Sequence, residues 1–444
     1  MAHRTRTLPR RSPTEPTLPR RSPTRRAAPR RSLLQRLVSW PARFVRHGRG
    51  PIRRLLRGLV LLVVLLMIPA AWSYAGALTA PGSAPLSART VEWLSNDVPG
   101  GRPVVLLAER IWYTWNAPPV GGTPAGGLPY AKGSDPKPGP AGRLVPAHLP
   151  APLPIRPIAA HPLPHEGQWE VVGRWVDGVP AIRVAYLRPD PIHTSLVAGV
   201  MWMDTRLLRA ALVPGTQVPT PGASWPGLHW WIPPAARASL AATFNAGFLI
   251  RDANGGWYGE GRMAVPLVAG DASLVIYKNG TATVAQWGRD ATMGPDVAAV
   301  RQNLRLIVDG GRVTPGVTNN SFQLWGATLG NAVMVWRSGV GVTRDGALVY
   351  AAGPGLSVQS LAAVLVRAGA VRAMELDINT DWTSAMFYGP APGTYYRVSA
   401  TKLLSDMIRP ETRYLVPDER DFIAMFVRQH LQMVPARRAT AGTG

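Results

Sequence analysis

The residues best able to do chemistry fall in one short stretch, Ala373-Met374-Glu375-Leu376-Asp377-Ile378-Asn379-Thr380-Asp381-Trp382. If it is a strand opening into a loop, period-two alternation puts Met374, Leu376 and Ile378 on an apolar face. Glu375, Asp377 and Asn379 then share the other. Two carboxylates on one face at the end of an apolar strand are costly to desolvate unless they meet a cation, a donor or a substrate. Carboxylate pairs of this kind perform general acid–base and glycosyl-transfer work. The same pattern also fits a strand end that simply faces solvent.

The elements that must position this stretch can be read around it. A helix-like run, Leu356 to Ala370, leads directly into it. Upstream, strand-like runs occur at Ala181–Leu187, Leu196–Met203, Ser273–Lys278, Thr281–Trp287, Leu304–Val308 and Ala332–Trp336. Lys278-Asn279-Gly280-Thr281 reads as a two-residue hairpin turn, and Arg344-Asp345-Gly346-Ala347 as a second. Helices are predicted over Pro233–Ala242, Lys402–Arg409 and Asp418–Leu431 as well as Leu356–Ala370. Hairpin strands with a few helices between them predict an α+β fold of mixed or antiparallel sheets, not a parallel nucleotide-binding sheet.

Composition bounds the rest. The chain has 444 residues, no cysteine and a formal charge of +24. Without cysteine there are no disulfides, thiolate metal sites or thiol nucleophile. The charge is unevenly spread: residues 1–57 hold 17 Arg and one Glu. That Pro- and Arg-rich arm repeats Leu-Pro-Arg-Arg-Ser-Pro-Thr and is expected to be disordered, with affinity for an anionic membrane surface rather than for nucleic acid. Residues 58–78 are free of charge and long enough to cross a bilayer core of about 30 Å. With arginines on the N-terminal side, the arm is expected in the cytoplasm and the remainder outside it. Ala75-Gly76-Ala77 would also serve as a cleavage site, so an export signal is the alternative. A short helical segment (79–116), a Pro/Gly-rich linker (117–164), a folded domain (165–434) and a disordered tail (435–444) complete the expected organisation.

Phosphate-loop, zinc-protease and serine-hydrolase motifs are missing from the sequence. The eight histidines are scattered, so nothing indicates a His-held metal; a carboxylate-held metal and the identity of any cofactor stay open. What remains is an ordered set of pieces: Thr243-Phe244-Asn245-Ala246-Gly247-Phe248; Trp336-Arg337-Ser338-Gly339-Val340-Gly341 before the Asp345-Gly346 hairpin; and the helix leading to Ala373-Met374-Glu375-Leu376-Asp377. In that order they resemble the phosphodiester glycosidase family, over roughly residues 241–387.

The resemblance implies that residues 165–434 form a glycosidase-like domain, in a divergent, membrane-anchored bacterial member of the family. It marks Asn245, Arg337, Gly341, Asp345 and Asp377 as matching positions. Two departures stand out: Asn245-Ala246-Gly247 replaces N-G-G, and Asp377-Ile378-Asn379-Thr380-Asp381 replaces D-G-G-G-S. Glycines offer unhindered N–H groups to a phosphate, which Ile and Thr do not. Asn379 and Asp381 would then supply side chains where the family uses backbone.

The expected activity is an extracytoplasmic hydrolase cleaving a sugar-1-phosphate diester in an envelope glycopolymer. Asp377 and Glu375 would be catalytic. Arg337, Asn245, Asn379, Asp381, Gly341 and Asp345 would bind substrate. The alternatives are a non-catalytic domain of the same fold that binds an anionic glycopolymer, and an interaction module in envelope assembly.

Overall fold

The computed structural model describes residues 51–130, 144–220, 225, 229–317, 325, 333–391 and 393–435. Most of the expected basic arm, the centre of the expected linker (131–143) and the tail beyond 435 lie outside them. The chain divides into two units, residues 1–69 and 70–444.

In the first unit the described residues belong to helix α1, Pro51–Thr79, which runs on into the second. Within it, Arg54–Thr79 contains an 18-residue window with a mean hydropathy of 2.3. That length and composition suit a membrane span or a signal sequence.

The second unit is built mainly from antiparallel strands in three large sheets. An eight-stranded sheet includes, as neighbours, Leu306–Asp309, Ala370–Glu375, Val335–Thr343, Leu348–Leu356, Ala198–Met203, Val179–Leu187 and Glu170–Val176. A five-stranded sheet places Leu240–Asn245 between Ala385–Pro390 and Phe422–Val427. A second five-stranded sheet is centred on Ala272–Tyr277 and Val297–Gln302. The sheets turn inner faces into one core, where Met374, Tyr350 and Met201 meet Phe244, Met425, Leu274 and Val284. Burial of that apolar surface is the principal force holding the sheets together. Mixed α+β architecture with few helices agrees with the sequence.

Helices α2 (Leu86–Asp97) and α3 (Gly101–Trp115) follow α1. A single turn, α4, covers Ile250–Ala253, and α5 covers Val358–Arg367. A capping box starts α5: Ser360 N donates to Ser357 Oγ and Ser357 N to Ser360 Oγ, each at 3.0 Å. Its Leu361, Val364 and Leu365 pack on the outer face of the eight-stranded sheet, against Ala351, Val349 and Ala373. Residues 144–164, part of the stretch expected to be linker, are seated on the domain. Leu149 and Ile155 are buried, and Leu144–Pro146 pairs with Met433–Pro435.

Four local readings are corrected. Leu240–Asn245 and Phe422–Val427 are buried strands, not parts of helices. Short apolar runs fit a buried strand and a buried helix equally well, and here pairing within the sheet decides. Lys402–Arg409 is the end of a strand followed by turns. Both hairpins exist, but each turn has three residues: Gly280 N bonds Tyr277 O and Gly346 N bonds Thr343 O, with those two glycines left-handed. Neither Asn279 nor Asp345 takes a positive φ, so each turn is a type I turn closed by a glycine bulge.

Candidate functional site

The strand Ala370–Glu375 runs beside Val335–Thr343, in a register that sets Glu375 opposite Gly339 and Ala373 opposite Gly341. A Cβ on Gly341 would lie 2.7 Å from Ala370 Cβ and 3.0 Å from Arg372 O. Gly341 is therefore where two strands pack too closely for a side chain, and it does not touch the cleft described below. Asp345 sits on the exposed hairpin at the far end of the same strand, where its carboxylate accepts from Thr343 Oγ1. Six residues of strand, about 20 Å, separate that hairpin from Arg337.

Beyond Glu375 the chain stays bonded to Ser338 of the neighbouring strand before it turns into a loop. Leu376 N donates to Ser338 O at 2.8 Å, and Ser338 N and Oγ donate to Asp377 O at 3.0 and 2.9 Å. Asp377 Oδ1 accepts from Ile378 N (2.8 Å) and Asn379 N (3.2 Å), and Asn379 Oδ1 accepts from Asp381 N (2.8 Å). Residues 378–381 keep negative φ throughout. Two successive side-chain-to-backbone turns thus shape this loop without glycine. They also occupy N–H groups that a glycine loop would leave open to a ligand.

Asn245 is buried behind the loop. Its amide donates to Ala246 O (2.9 Å) and Ser338 Oγ (3.0 Å), and accepts from Tyr350 Oη (2.9 Å) and Ser384 N (3.1 Å). Those four bonds use the full capacity of an amide. Through Ser338, Asn245 holds the carbonyl of Asp377. Asn303, which sequence reasoning did not single out, clamps the same region: it donates to Glu375 O (2.8 Å) and accepts from Phe248 N (3.2 Å).

Glu375 and Arg337 are completely buried and paired with each other. The remaining guanidinium donors reach Leu356 O (2.8 Å) and Val333 O (3.3 Å). Burial pushes the Glu375 carboxyl up to about 7 and Asp377 adds to the rise, while Arg337 opposes it. In this arrangement the fork of Arg337 holds the chain's own groups. Met374 and Leu376 share a core face as alternation predicts, but Ile378, past the end of the strand, packs in a separate cluster and lines the cleft. What alternation could not show is that α5 covers the other face, so that Glu375 meets neither solvent nor cleft.

Asp377, Ile378 and Asn379 line a cleft of about 610 Å³. Its other walls come from α2 and α3 (Glu92, Arg102, Glu109), the 248–254 turn, Asp271, Arg305, Trp382 and Arg420. Three of its carboxyls are shifted upward mainly by burial: Asp377 to about 6, Asp271 to about 6 and Glu109 to about 7. For Asp377 the opposing influences are Arg420, the Ile378 and Asn379 N–H groups and Arg413; for Asp271, Arg305. Asp381, beside the cleft, is also raised by burial, against the pull of Arg409.

Arg420 lies over the Trp382 ring, 4.4 Å from its centroid, and pairs with Glu92 Oε1 at 2.5 Å. Its Nε is buried without a partner among the described residues. Behind it, Arg413 grips Asp418 through two bonds of 2.7 and 3.0 Å. Sequence reasoning missed Arg420 because Asp418-Glu419-Arg420-Asp421 was read as the start of a helix. The available signal was four consecutive charges abutting six apolar residues, the mark of a strand end that must pair its charges internally. No group of three or more acidic, His or Cys side chains suited to a metal occurs among the described residues.

Residues 240–377 match the family model of the phosphodiester glycosidases, so the resemblance read from the motif order holds over that segment. No curated protein matches the chain. Among solved structures, the catalytic domain of zebrafish N-acetylglucosamine-1-phosphodiester alpha-N-acetylglucosaminidase, auto-inhibited by its pro-peptide, is 12% identical with a TM-score of 0.38; 59% of this chain and 88% of that one are covered. A hypothetical protein from Synechocystis is 12% identical, with a TM-score of 0.30 over 58% of this chain and 64% of that one. A protein from Burkholderia pseudomallei described as exported is 13% identical, with a TM-score of 0.32 over 54% and 76%. Likenesses this weak carry no argument about the site.

Proposed function

We propose that this chain, with its phosphodiester glycosidase segment at 240–377, hydrolyses a sugar-1-phosphate diester in an anionic glycopolymer of the cell envelope, outside the cytoplasm of a bacterial cell. The observation that carries the reading is Asp377: a carboxyl raised to about 6, lining a cleft that also presents Arg420. A carboxyl with a pKa close to the working pH is suited to give a proton to a leaving group.

In the proposed reaction, Arg420 exchanges Glu92 for the diester phosphate, which its planar fork fits. Asp377 donates its proton to the bridging oxygen as the bond from the anomeric carbon to that oxygen breaks. The phosphate monoester leaves, and water adds to the anomeric carbon. A second cleft carboxyl, Asp271 or Glu109, takes the proton of that water. Asn379 and Asp381 border the sugar. Glu375, Arg337, Asn245 and Gly341 act as positioning residues that hold the Asp377 loop. Asp345, on the exposed hairpin at the far end of the strand, takes no part in this reaction.

A second reading has its own observation. The N–H groups of Ile378, Asn379 and Asp381 are already bonded within the loop, which favours a domain that binds an anionic glycopolymer without turning it over.

One experiment separates the two. The full chain in detergent, and its Asp377→Asn form, are incubated with sugar-1-phosphodiesters and isolated wall polymers, and released sugar is measured alongside binding. Release lost in the variant supports hydrolysis, saturable binding with no release supports the binder, and the absence of both release and binding refutes both.

A further inference from the structure

Helix α3 is amphipathic in an unusual sense, because its apolar stripe points away from the domain. Val105, Leu106, Glu109 and Tyr113 turn inward, and the first three line the cleft. On the opposite side Val104 and Leu107 are each 59% exposed, Ile111 46%, Trp112 63% and Trp115 83%. The spacing i, i+3, i+7, i+11 from Val104 makes these one continuous stripe along the helix. Arg110 is exposed beside it. An apolar stripe of this length left in water needs a partner.

The helix's location identifies that partner. Six residues (80–85) separate α1 from α2, and α2 is fixed to the last turns of α1. Tyr74 Oη bonds Thr90 Oγ1 at 2.9 Å, Trp93 Nε1 donates to Ser73 Oγ at 3.0 Å, and the Tyr74 and Trp93 rings stand 4.7 Å apart. α3 follows α2 through a corner so tight that a Cβ on Gly101 would overlap Leu94 O. The stripe is thereby held near the end of the apolar helix, and it carries Trp112 and Trp115, the residue type that favours the membrane–water boundary.

We propose that α3 is an interfacial helix that lies on the lipid surface beside the end of α1. The inference rests on reading α1 as a membrane span. Its consequence is that the cleft, lined by the opposite face of the same helix, stands about one helix diameter, ~10 Å, from the lipid. Substrate would then be a phosphodiester presented at the membrane surface.

The chain has no cysteine, so single reporters can be placed in the full-length protein reconstituted in phosphatidylethanolamine–phosphatidylglycerol vesicles. Leu107→Cys and Ile111→Cys report on the stripe, Leu62→Cys on α1 and Arg344→Cys on a remote exposed turn. Each carries an environment-sensitive dye, and spin-labelled lipids serve as quenchers. The proposal predicts a blue shift and lipid quenching at 107 and 111, as at 62, with neither at 344. Quenching at 62 without quenching at 107 and 111 overturns the interfacial helix while sparing the anchor. Quenching at 107 and 111 without 62 removes the span on which the inference rests and overturns it as well. If the unlabelled Leu107→Cys protein forms disulfide-linked dimers in lipid-free detergent, and its labelled form is not quenched in vesicles, a second copy covers the stripe and the proposal is likewise overturned.

Discussion

Asp377 combines two features that rarely coexist without a purpose: its carboxyl is buried, and it borders a cleft. Its folded-state pKa of about 6 lies above the ordinary 3.8. The protonated form therefore favours the fold: this contribution is fully present below about pH 4 and is lost as pH rises through about 6. Asp377→Asn keeps an oxygen for the Ile378 and Asn379 N–H groups but cannot ionise. Thermal melts should show the variant at least as stable as the parent at pH 7.5, with a flatter pH dependence between 4 and 6. Its hydrolytic rate should fall by about 10²–10⁴.

Arg337 behaves differently. Removing one partner of a fully buried ion pair leaves the other uncompensated, so Arg337→Met should cost about 3–5 kcal/mol, and Arg337→Met with Glu375→Gln should recover much of that. Denaturant titration of the single and double variants measures the difference. The strand pattern put both carboxylates on one face, but the strand ends at Glu375, so Asp377 borders the cleft while Glu375 does not. The helix α5 core makes Glu375 an interior residue.

At the scale of elements, the site depends on how closely the Ala370–Glu375 and Val335–Thr343 strands approach. Gly341→Ala places a methyl 2.7 Å from Ala370 Cβ, an overpacking change expected to cost about 1–3 kcal/mol. Chemical denaturation would register it, and the same assay on Ser357→Ala should show about 1 kcal/mol from the lost cap. Helix α5 and strands such as Val179–Leu187, Ala198–Met203 and Ala272–Tyr277 were readable because their periodicities and turn residues agree with their tertiary surroundings. The Phe422–Val427 strand was not, since a fully buried central strand has no polar face to reveal its period. Misplacing that strand hid Arg420, which stands just before it.

For the molecule as a whole, an apolar helix preceded by an arginine-rich arm predicts that the domain lies outside the cytoplasm. A reporter fused after Gly444 should be active only on the outer side, and protease added to spheroplasts should remove the domain. A C-terminus protected from that protease would contradict this orientation. The three-sheet assembly itself could not be read from the sequence, because pairings such as Leu240–Asn245 with Phe422–Val427 join segments far apart in the chain and no local signal specifies them.

In the proposed reaction the bond between the anomeric carbon and the phosphate oxygen breaks with the help of Asp377. The most direct test is hydrolysis of a sugar-1-phosphodiester by the full chain in ¹⁸O-labelled water, followed by mass spectrometry of both products. The prediction is that the label enters the sugar and that Asp377→Asn suppresses its incorporation. Label in the phosphate instead, or turnover unchanged in the variant, would contradict it.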